Sequence, residues 1–256
     1  MAVLSVKRTA PCKRGGGDVV ERAMVTASKT RRRPGRPAGR AESRVGRREK
    51  ILDVAEEVFA EHGYAPASLR DIARRGSVNP ALIAYYFGSK ERLFEEVFKR
   101  RGSLIARRWD ALLDELQARS TPPGVRDLLH AYLTAEFEMK QSGAAGHRFV
   151  RLQARVHDET DPMHFRLRRE VYDSATRRYL DALERALPEV APADIYWRMM
   201  FVIGAFLYMM SGVDRLDDLS GGRYIANDVN EMVERLTAFV VGGMSVPSAP
   251  SESRST

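Results

Sequence analysis

Residues 79–90 read NPALIAYYFGSK, and they predict a helix of about two turns that lies between two caps. Asn79 is a favoured N-cap residue, and Pro80 suits the first helical position, where a missing N–H costs nothing. The helix is expected to end at Gly88, and Ser89 can cap the next one. A helix this short is marginal alone, so it needs packing neighbours and a use for its exposed face. A DNA-reading helix has these properties.

The residues before this helix supply its packing neighbours. Apolar residues at helical spacing from Ile51 to Phe59 predict a first helix that stops at Gly63. Ser68 can cap a short second helix, and residues 75–77 (Arg-Gly-Ser) form the turn that leads into the third. Two short helices joined by a Gly-containing turn match the helix-turn-helix pattern.

The charge of the chain is unevenly distributed. Residues 1–50 contain 15 Lys+Arg and 4 Asp+Glu, whereas the rest of the 256 residues contain 27 and 30. A basic arm on a nearly neutral body indicates an anionic partner such as double-stranded DNA. Cys12 is the only cysteine, which excludes an intrachain disulfide and favours a reducing, cytoplasmic location. The apolar run 199–213 is shorter than the roughly 20 residues of a membrane span, so we expect a buried helix and no membrane partner.

The pattern of elements predicts an all-α fold with four segments. Helical periodicity continues to the C-terminal part, punctuated by Pro and Gly, and no alternating strand pattern persists. The segments are a disordered basic arm (1–43), a three-helix helix-turn-helix domain (44–101), a larger helical domain (102–245) and a disordered Pro/Ser-rich tail (246–256).

The N-terminal end of the third helix is expected to face base edges in the major groove. Pro80, Ala81 and Leu82 cannot donate hydrogen bonds there, but they can pack on thymine methyl groups. Arg70 on the preceding helix is the candidate for a bidentate contact with guanine. Ser68 lies at a helix N-terminus, where its hydroxyl and the nearby N–H groups suit a phosphate.

Further contacts with phosphates are expected from Tyr85, Tyr86 and Lys90, which would position the protein without reading sequence. The alternative is that the two tyrosines belong to the hydrophobic core and that Arg70 is merely solvated. The residues alone leave both interpretations open.

Residues 47–94 resemble the DNA-binding domain of TetR-family regulators. The resemblance rests on the following residues, in this order and spacing: Arg48-Glu49-Lys50-Ile51-Leu52, Ala55-x-x-x-Phe59, Gly63-Tyr64, Ser68-Leu69-Arg70-Asp71-Ile72-Ala73 and Tyr85-Tyr86-Phe87-Gly88-Ser89-Lys90-Glu91-x-Leu93. It implies that Asn79 begins the recognition helix. It also implies that Tyr85, Tyr86 and Lys90 contact the DNA backbone.

Two positions depart from the family pattern. Ala84 stands where the family usually has a tyrosine that touches DNA, and Leu82 replaces a common threonine. Both changes indicate an operator that is read more by methyl packing than by hydrogen bonds.

The resemblance implies a dimeric, ligand-responsive transcriptional regulator, a repressor that a small effector releases from a palindromic operator. The C-terminal domain would then bind the effector and dimerise, and no cofactor is implied. Residues 212–216 (Gly-Val-Asp-Arg-Leu) are similar to a segment of fatty-acid-responsive members, so an acyl chain or acyl-CoA is the first expected effector.

The arm contains residues 31–37 (RRRPGRP), which resemble an AT-hook. Such a segment can lie extended in the minor groove, with Arg36 drawn into the narrow groove of an A·T tract. The alternative is a solvated basic tail that adds affinity without regard to sequence.

Two features of the C-terminal domain point to dimerisation and ligand binding. A stripe from Ile225 to Val240 on the last helix, and Phe201 to Met209 on the preceding one, can pair subunits, although such a stripe is equally typical of intramolecular core. Candidate pocket residues are aromatic, methionine or arginine side chains, each of which can instead be ordinary core or surface: Phe137, Phe149, Arg151, Trp197, Met200, Phe201 and Tyr208.

Arg148, Arg151 and Arg155 share one helical face, which is either solvated, salt-bridged or turned to an acidic ligand group. The histidines lack a metal-ligand spacing, so no metal is expected. No nucleophile elbow, phosphate loop or metal-binding His pair occurs, and we do not expect an enzyme. The alternative function is a non-specific architectural DNA-binding protein, which the near-neutral body disfavours.

Overall fold

The structure is a computed structural model that describes residues 44–248, except 159, 211–214 and 227. This part of the chain forms ten α-helices and no strand, which confirms the predicted all-α class. The helices are α1 (Arg44–His62), α2 (Leu69–Gly76), α3 (Pro80–Phe87), α4 (Lys90–Gln117), α5 (Val125–Gln141), α6 (Ala144–Asp158), α7 (Pro162–Ala186), α8 (Pro192–Met210), α9 (Leu216–Ser220) and α10 (Val229–Met244).

Some predictions fall outside the described residues. These are the basic arm of residues 1–43 with Cys12 and Arg36, the tail from residue 249, and most of the 212–216 segment.

The predicted caps of the helix-turn-helix are confirmed. Each cap side chain accepts a hydrogen bond from a backbone N–H in the first turn of its helix: Ser68 Oγ at 3.1 Å, Asn79 Oδ1 at 2.8 Å and Ser89 Oγ at 3.1 Å. As expected, α3 has only eight residues and ends at Gly88, whose φ of 74° favours glycine.

The helix α1 is the base of the N-terminal part. Its predicted apolar face is buried, and Phe59 packs edge-on against Phe94 of α4 at a ring-centroid distance of 4.9 Å. α2 packs on α1, while α3 contacts α2 and α4. In the larger body, which is the helical domain of residues 102–245, α5 lies centrally and contacts α4, α6, α7, α8 and α10.

The helix α4 runs unbroken for 28 residues through Gly102, which the sequence placed at the start of the second domain. This glycine permits close packing against α7. A Cβ at residue 102 would lie 2.8 Å from Cγ1 of Val171 and 3.0 Å from the hydroxyl of Tyr172, both on α7. The expected division between residues 101 and 102 therefore falls inside one helix.

The burial of α8 and α10 differs from the predictions made from the sequence. Met232, Val233, Leu236 and Val240 of the predicted dimer stripe are buried within the chain, where α10 packs on α5 and α8. Among the described helices, α8 has the length and apolar composition of a membrane span, but it packs against four other helices of the body. The sequence analysis expected this helix to be buried, but one face of α8 is open to solvent.

Candidate functional site

The turn between α2 and α3 is set by Ser77, which adopts a left-handed conformation with φ of 50°. Its N–H donates to the carbonyl of Arg74 at 3.2 Å, and the N–H of Val78 donates to the carbonyl of Ala73 at 3.0 Å. These bonds end α2 and redirect the chain. Because Ile83 is fully buried, the opposite face of α3 is held toward solvent.

The solvent face of α2 and α3 contains most of the residues expected to contact bases. The exposed residues are Arg70, Asn79, Pro80, Ala81 and Ala84. The Arg70 side chain has no hydrogen bond or ion pair with any described residue, so its guanidinium is available to a base edge. Leu82 is only half-exposed and packs against the core, which limits its access to a thymine methyl group.

Tyr85 and Tyr86 connect α3 to the first described residue of α1. Arg44 Nη2 donates to the hydroxyl of Tyr85 at 2.7 Å, and the Tyr86 hydroxyl donates to the carbonyl of Arg44 at 3.1 Å. Tyr85 is 65% exposed, whereas Tyr86 packs partly against the core. Arg44, the first described residue, therefore lies beside the exposed face of α3.

Two of the side chains predicted to bind phosphate have partners inside the protein. Lys90 Nζ donates to the carbonyls of Tyr64, Ala65 and Ala67 at 3.0–3.2 Å. The Ser68 hydroxyl donates to the Asp71 carboxylate at 2.6 Å. A phosphate would have to displace these contacts. Through these bonds Lys90 holds the loop between α1 and α2.

A buried ion-pair cluster joins α1 to the helices of the larger body. Glu56 is fully buried, and its Oε2 accepts from Arg100 at 2.9 Å and Arg101 at 2.6 Å, both on α4. Arg148 of α6 lies 4.0 Å from Oε1 of the same carboxylate. Arg155 donates to a carbonyl near the end of α1 at 3.2 Å. The arginine face of α6 is therefore partly paired with α1. Salt bridging was one of the three alternatives that the sequence left open for this face.

A cavity of ≈ 320 Å³ lies among α4–α8 in the larger body. Aromatic rings form much of its wall, and Trp109 and Tyr132 stack with ring centroids 4.3 Å apart. The wall includes Trp109 of α4, Tyr132 and Glu136 of α5, Gln153 of α6, Tyr172 of α7 and Met200 of α8. The cavity extends from exposed Phe165 and Met200 at the surface to buried Trp109 and Glu136, and its largely apolar wall is typical of small-molecule sites.

Glu136 is the unusual group in this wall. The residue is fully buried, and its Oε1 accepts from the Gln153 amide at 3.2 Å, while its Oε2 has no hydrogen-bond partner among the described residues. Burial raises the pKa of Glu136 to about 8, and the Gln153 amide offsets only part of that effect. Burial lowers the pKa of nearby His157 to about 4, so its imidazole is neutral at pH 7.

Comparison with known families accounts for both parts of the chain. Residues 51–97 match the profile of "Bacterial regulatory proteins, tetR family", and residues 130–243 match "Tetracyclin repressor-like, C-terminal domain". The chain belongs to the TetR family.

Individual TetR-family relatives match mainly the N-terminal part. The HTH-type transcriptional repressor Rv3405c of Mycobacterium tuberculosis is 39% identical over 84 residues, which cover 33% of this chain and 42% of that protein. The HTH-type transcriptional regulator BetI of Rhizobium meliloti is 32% identical over 95 residues, covering 37% and 44%. The chain thus matches less than half the length of these relatives. They are regulators rather than enzymes, as expected for this chain.

The solved structures support the fold alone. The ketosteroid transcriptional regulator KstR2 of Mycobacterium tuberculosis has a TM-score of 0.56 at 18% identity, covering 80% of this chain and 98% of that one. The TetR-type arrangement of a helix-turn-helix domain and a helical C-terminal domain therefore extends over the described residues.

The candidate ligand-binding residues chosen from the sequence lie in different places in the structure. Met200 lines the cavity, whereas Phe149 packs on Phe98 with ring centroids 5.5 Å apart, and Phe137 is also buried. Arg151 and Tyr208 line a shallower groove of ≈ 530 Å³ between α6 and α8. Sequence reasoning missed Glu136 and its neighbours, although a glutamate at a core position of an amphipathic helix is a detectable irregularity.

Trp197 and Phe201, also suggested as ligand residues, lie on the exposed face of α8. Each is 66% exposed, and they share one helical face with Gly204 and Tyr208. On α10, Phe239 is 73% exposed. Exposed aromatic side chains that share one helical face, as on α8, indicate a protein–protein contact.

Proposed function

We propose that this TetR-family chain represses transcription by binding a palindromic operator as a homodimer, and that a small apolar effector releases it. The observation that carries the proposal is the exposed face of α2–α3, where Arg70 lacks a partner among the described residues and Arg44 lies beside Tyr85. Residues 44–101 would bind DNA, and residues 102–245 would bind effector and dimerise, with α4 belonging to both. Such a regulator acts in the cytoplasm, where bacterial DNA lies.

The proposed dimer uses the exposed faces of α8 and α10. Phe201 and Phe239 supply apolar area, and a Cβ added at Gly204 or Gly242 would meet no atom within 4 Å of the same chain. Small residues of this kind allow helices of two subunits to approach closely. Two-fold symmetry would then present two α3 helices to successive major grooves about 34 Å apart.

The buried cluster around Glu56 offers a physical route from the effector cavity to the DNA-binding domain. α6 contributes Gln153 and His157 to the cavity wall, and on its other side Arg148 and Arg155 contact α1. A ligand that moves α6 would therefore shift α1. It favours release only if it binds the DNA-incompetent arrangement more tightly than the competent one.

The apolar wall supports an apolar effector. The acyl compound expected from the sequence would have to place its carboxylate near Arg168 or Arg169 at the cavity wall and its chain against the Glu136 carboxyl group. In that arrangement Glu136 Oε2 gains no partner, so we rank an acyl compound second among two classes of effector. The class ranked first follows from the chemistry of Glu136.

A gel-shift competition tests the DNA-binding proposal. The full chain is titrated onto DNA from upstream of its own coding region, with and without an excess of random duplex. Arg70→Ala should lower the preference for upstream DNA over random duplex by roughly 5- to 150-fold, the value of one bidentate base contact. Arg107→Ala, which removes an exposed arginine of α4, is the matched control and should leave that preference unchanged. Equal competition by random duplex for the unmodified chain would instead favour an architectural protein.

A further inference from the structure

Two buried glutamates in this chain have very different surroundings. Glu56 and Glu136 are both fully buried, but Glu56 accepts hydrogen bonds from two guanidinium groups. Among the described residues, Glu136 receives a single hydrogen bond, from the neutral Gln153 amide, and its Oε2 has no partner. Burial of a carboxyl group is costly without compensation. Glu136 therefore lacks the guanidinium partners that offset the burial of Glu56. Glu136 also lines the cavity among α4–α8.

Aromatic rings lie next to Glu136 in this wall. Trp109 donates its indole N–H to the carbonyl of Tyr132 at 2.8 Å, so its ring, which stacks on Tyr132, rather than its polar atom forms this part of the wall. Tyr172 meets Trp109 edge-on at 5.5 Å. The faces of such rings attract cations. Arg168, the partly buried cation of this wall, donates to the carbonyl of His157 and packs over Phe165.

We propose that the cavity binds a small hydrophobic cation, an ammonium group on an aromatic or alicyclic body, with its positive charge held by the Glu136 carboxylate and the rings of Trp109, Tyr132 and Tyr172. The cavity volume of ≈ 320 Å³ limits the ligand to a small molecule. That this cation acts as the effector rests on the proposed function. Its binding at Glu136 does not.

The charge state of Glu136 gives the proposal a specific pH dependence. With its pKa at about 8, the carboxyl group is mostly protonated at pH 7, and a cation must bind the ionised form. Binding therefore releases a proton, and affinity rises with pH and levels off above pH 8. The titratable and charged groups that face the cavity are Tyr132 of α5, His157 of α6, and Arg168, Arg169, Tyr172 and Asp173 of α7, whereas α4 and α8 contribute Trp109, Met200, Ile203 and Phe206.

Benzyltrimethylammonium and its neutral carbon isostere neopentylbenzene test the proposal. The ammonium probe has no titratable proton, so any pH dependence belongs to the protein. Calorimetric titration of the full chain should show tighter binding of the ammonium probe than of the isostere. Its affinity should rise about 50-fold between pH 6 and pH 8. Glu136→Gln should remove both the preference and the pH dependence. Glu138→Gln, an exposed neighbour on α5, is the control.

Equal or tighter binding of neopentylbenzene or of decanoate by the unmodified chain would overturn the proposal. So would an affinity for the ammonium probe that falls as pH rises. These comparisons need no variant and hold even if Glu136→Gln does not fold. A gel shift separates the two proposals. If the cation binds as described without releasing operator DNA, the ligand assignment stands and the effector mechanism fails. If only the neutral compound binds and releases DNA, the effector mechanism stands and the assignment of a cationic ligand fails.

Discussion

Replacing Glu136 by Gln should stabilise the protein, and by an amount that grows with pH. Glu136 has a pKa of about 8 in the folded chain against an ordinary value of 4.5. Between these values the folded state holds a proton that the unfolded state has lost, so raising the pH disfavours folding. The associated stability is complete below pH 4.5 and is lost as pH rises through 8. One pKa unit corresponds to about 1.4 kcal/mol, which gives a total of about 5 kcal/mol.

Urea unfolding at pH 5.5 and pH 7.5 measures this effect. Over that interval the free energy of unfolding of the unmodified chain should fall by about 2.5 kcal/mol more than that of Glu136→Gln. Other groups titrate equally in both proteins, so the difference isolates Glu136. Glu138→Gln, whose side chain is exposed and pairs with Arg108, should parallel the unmodified chain. If the curves of Glu136→Gln and the unmodified chain ran parallel, Glu136 would not be the buried, uncompensated acid that the structure describes.

The remaining predictions concern packing, assembly and DNA. Gly102→Ala should destabilise the fold by about 1–3 kcal/mol in urea unfolding, because its Cβ would lie 2.8 Å from a side chain of α7. Phe201→Glu should convert a dimer to a monomer by light scattering with little change in helical circular dichroism; a dimer that persisted would exclude the α8 face. In fluorescence anisotropy, Arg70→Ala should reduce operator discrimination more than Leu82→Ala does, and the reverse order would restore methyl packing as the main readout. Arg36→Ala should weaken binding to A·T-flanked sites selectively, and equal weakening at G·C-flanked sites would favour a sequence-independent basic tail.

Local chemistry made the helix-turn-helix predictable from sequence. Asn79, Ser68 and Ser89 can each cap a helix through contacts within three residues, and these short-range bonds appear as expected. The role of Gly102, by contrast, depends on a long-range contact and was not predicted. Its lack of a side chain serves a contact with α7, about 70 residues away in sequence, and glycine alone does not distinguish a close approach from a helix end.

The candidate sites were predictable to a smaller extent. An apolar stripe on α10 is compatible with packing inside one chain or between two, and Leu236 turned out to pack inside. Lys90 matches the family position for a phosphate contact, but its three carbonyl partners depend on the loop conformation. The environment of Glu136 comes from five helices that converge only in the folded chain, so periodicity along α5 shows an irregular core position without showing its neighbours.

A footprint of the full chain on DNA upstream of its coding region tests the central claim most directly. The account predicts protection of two symmetric half-sites whose centres lie about 34 Å apart, and this protection should survive an excess of random duplex. Protection that spreads evenly along the fragment, and that random duplex removes in proportion to its concentration, would contradict a sequence-specific dimeric regulator.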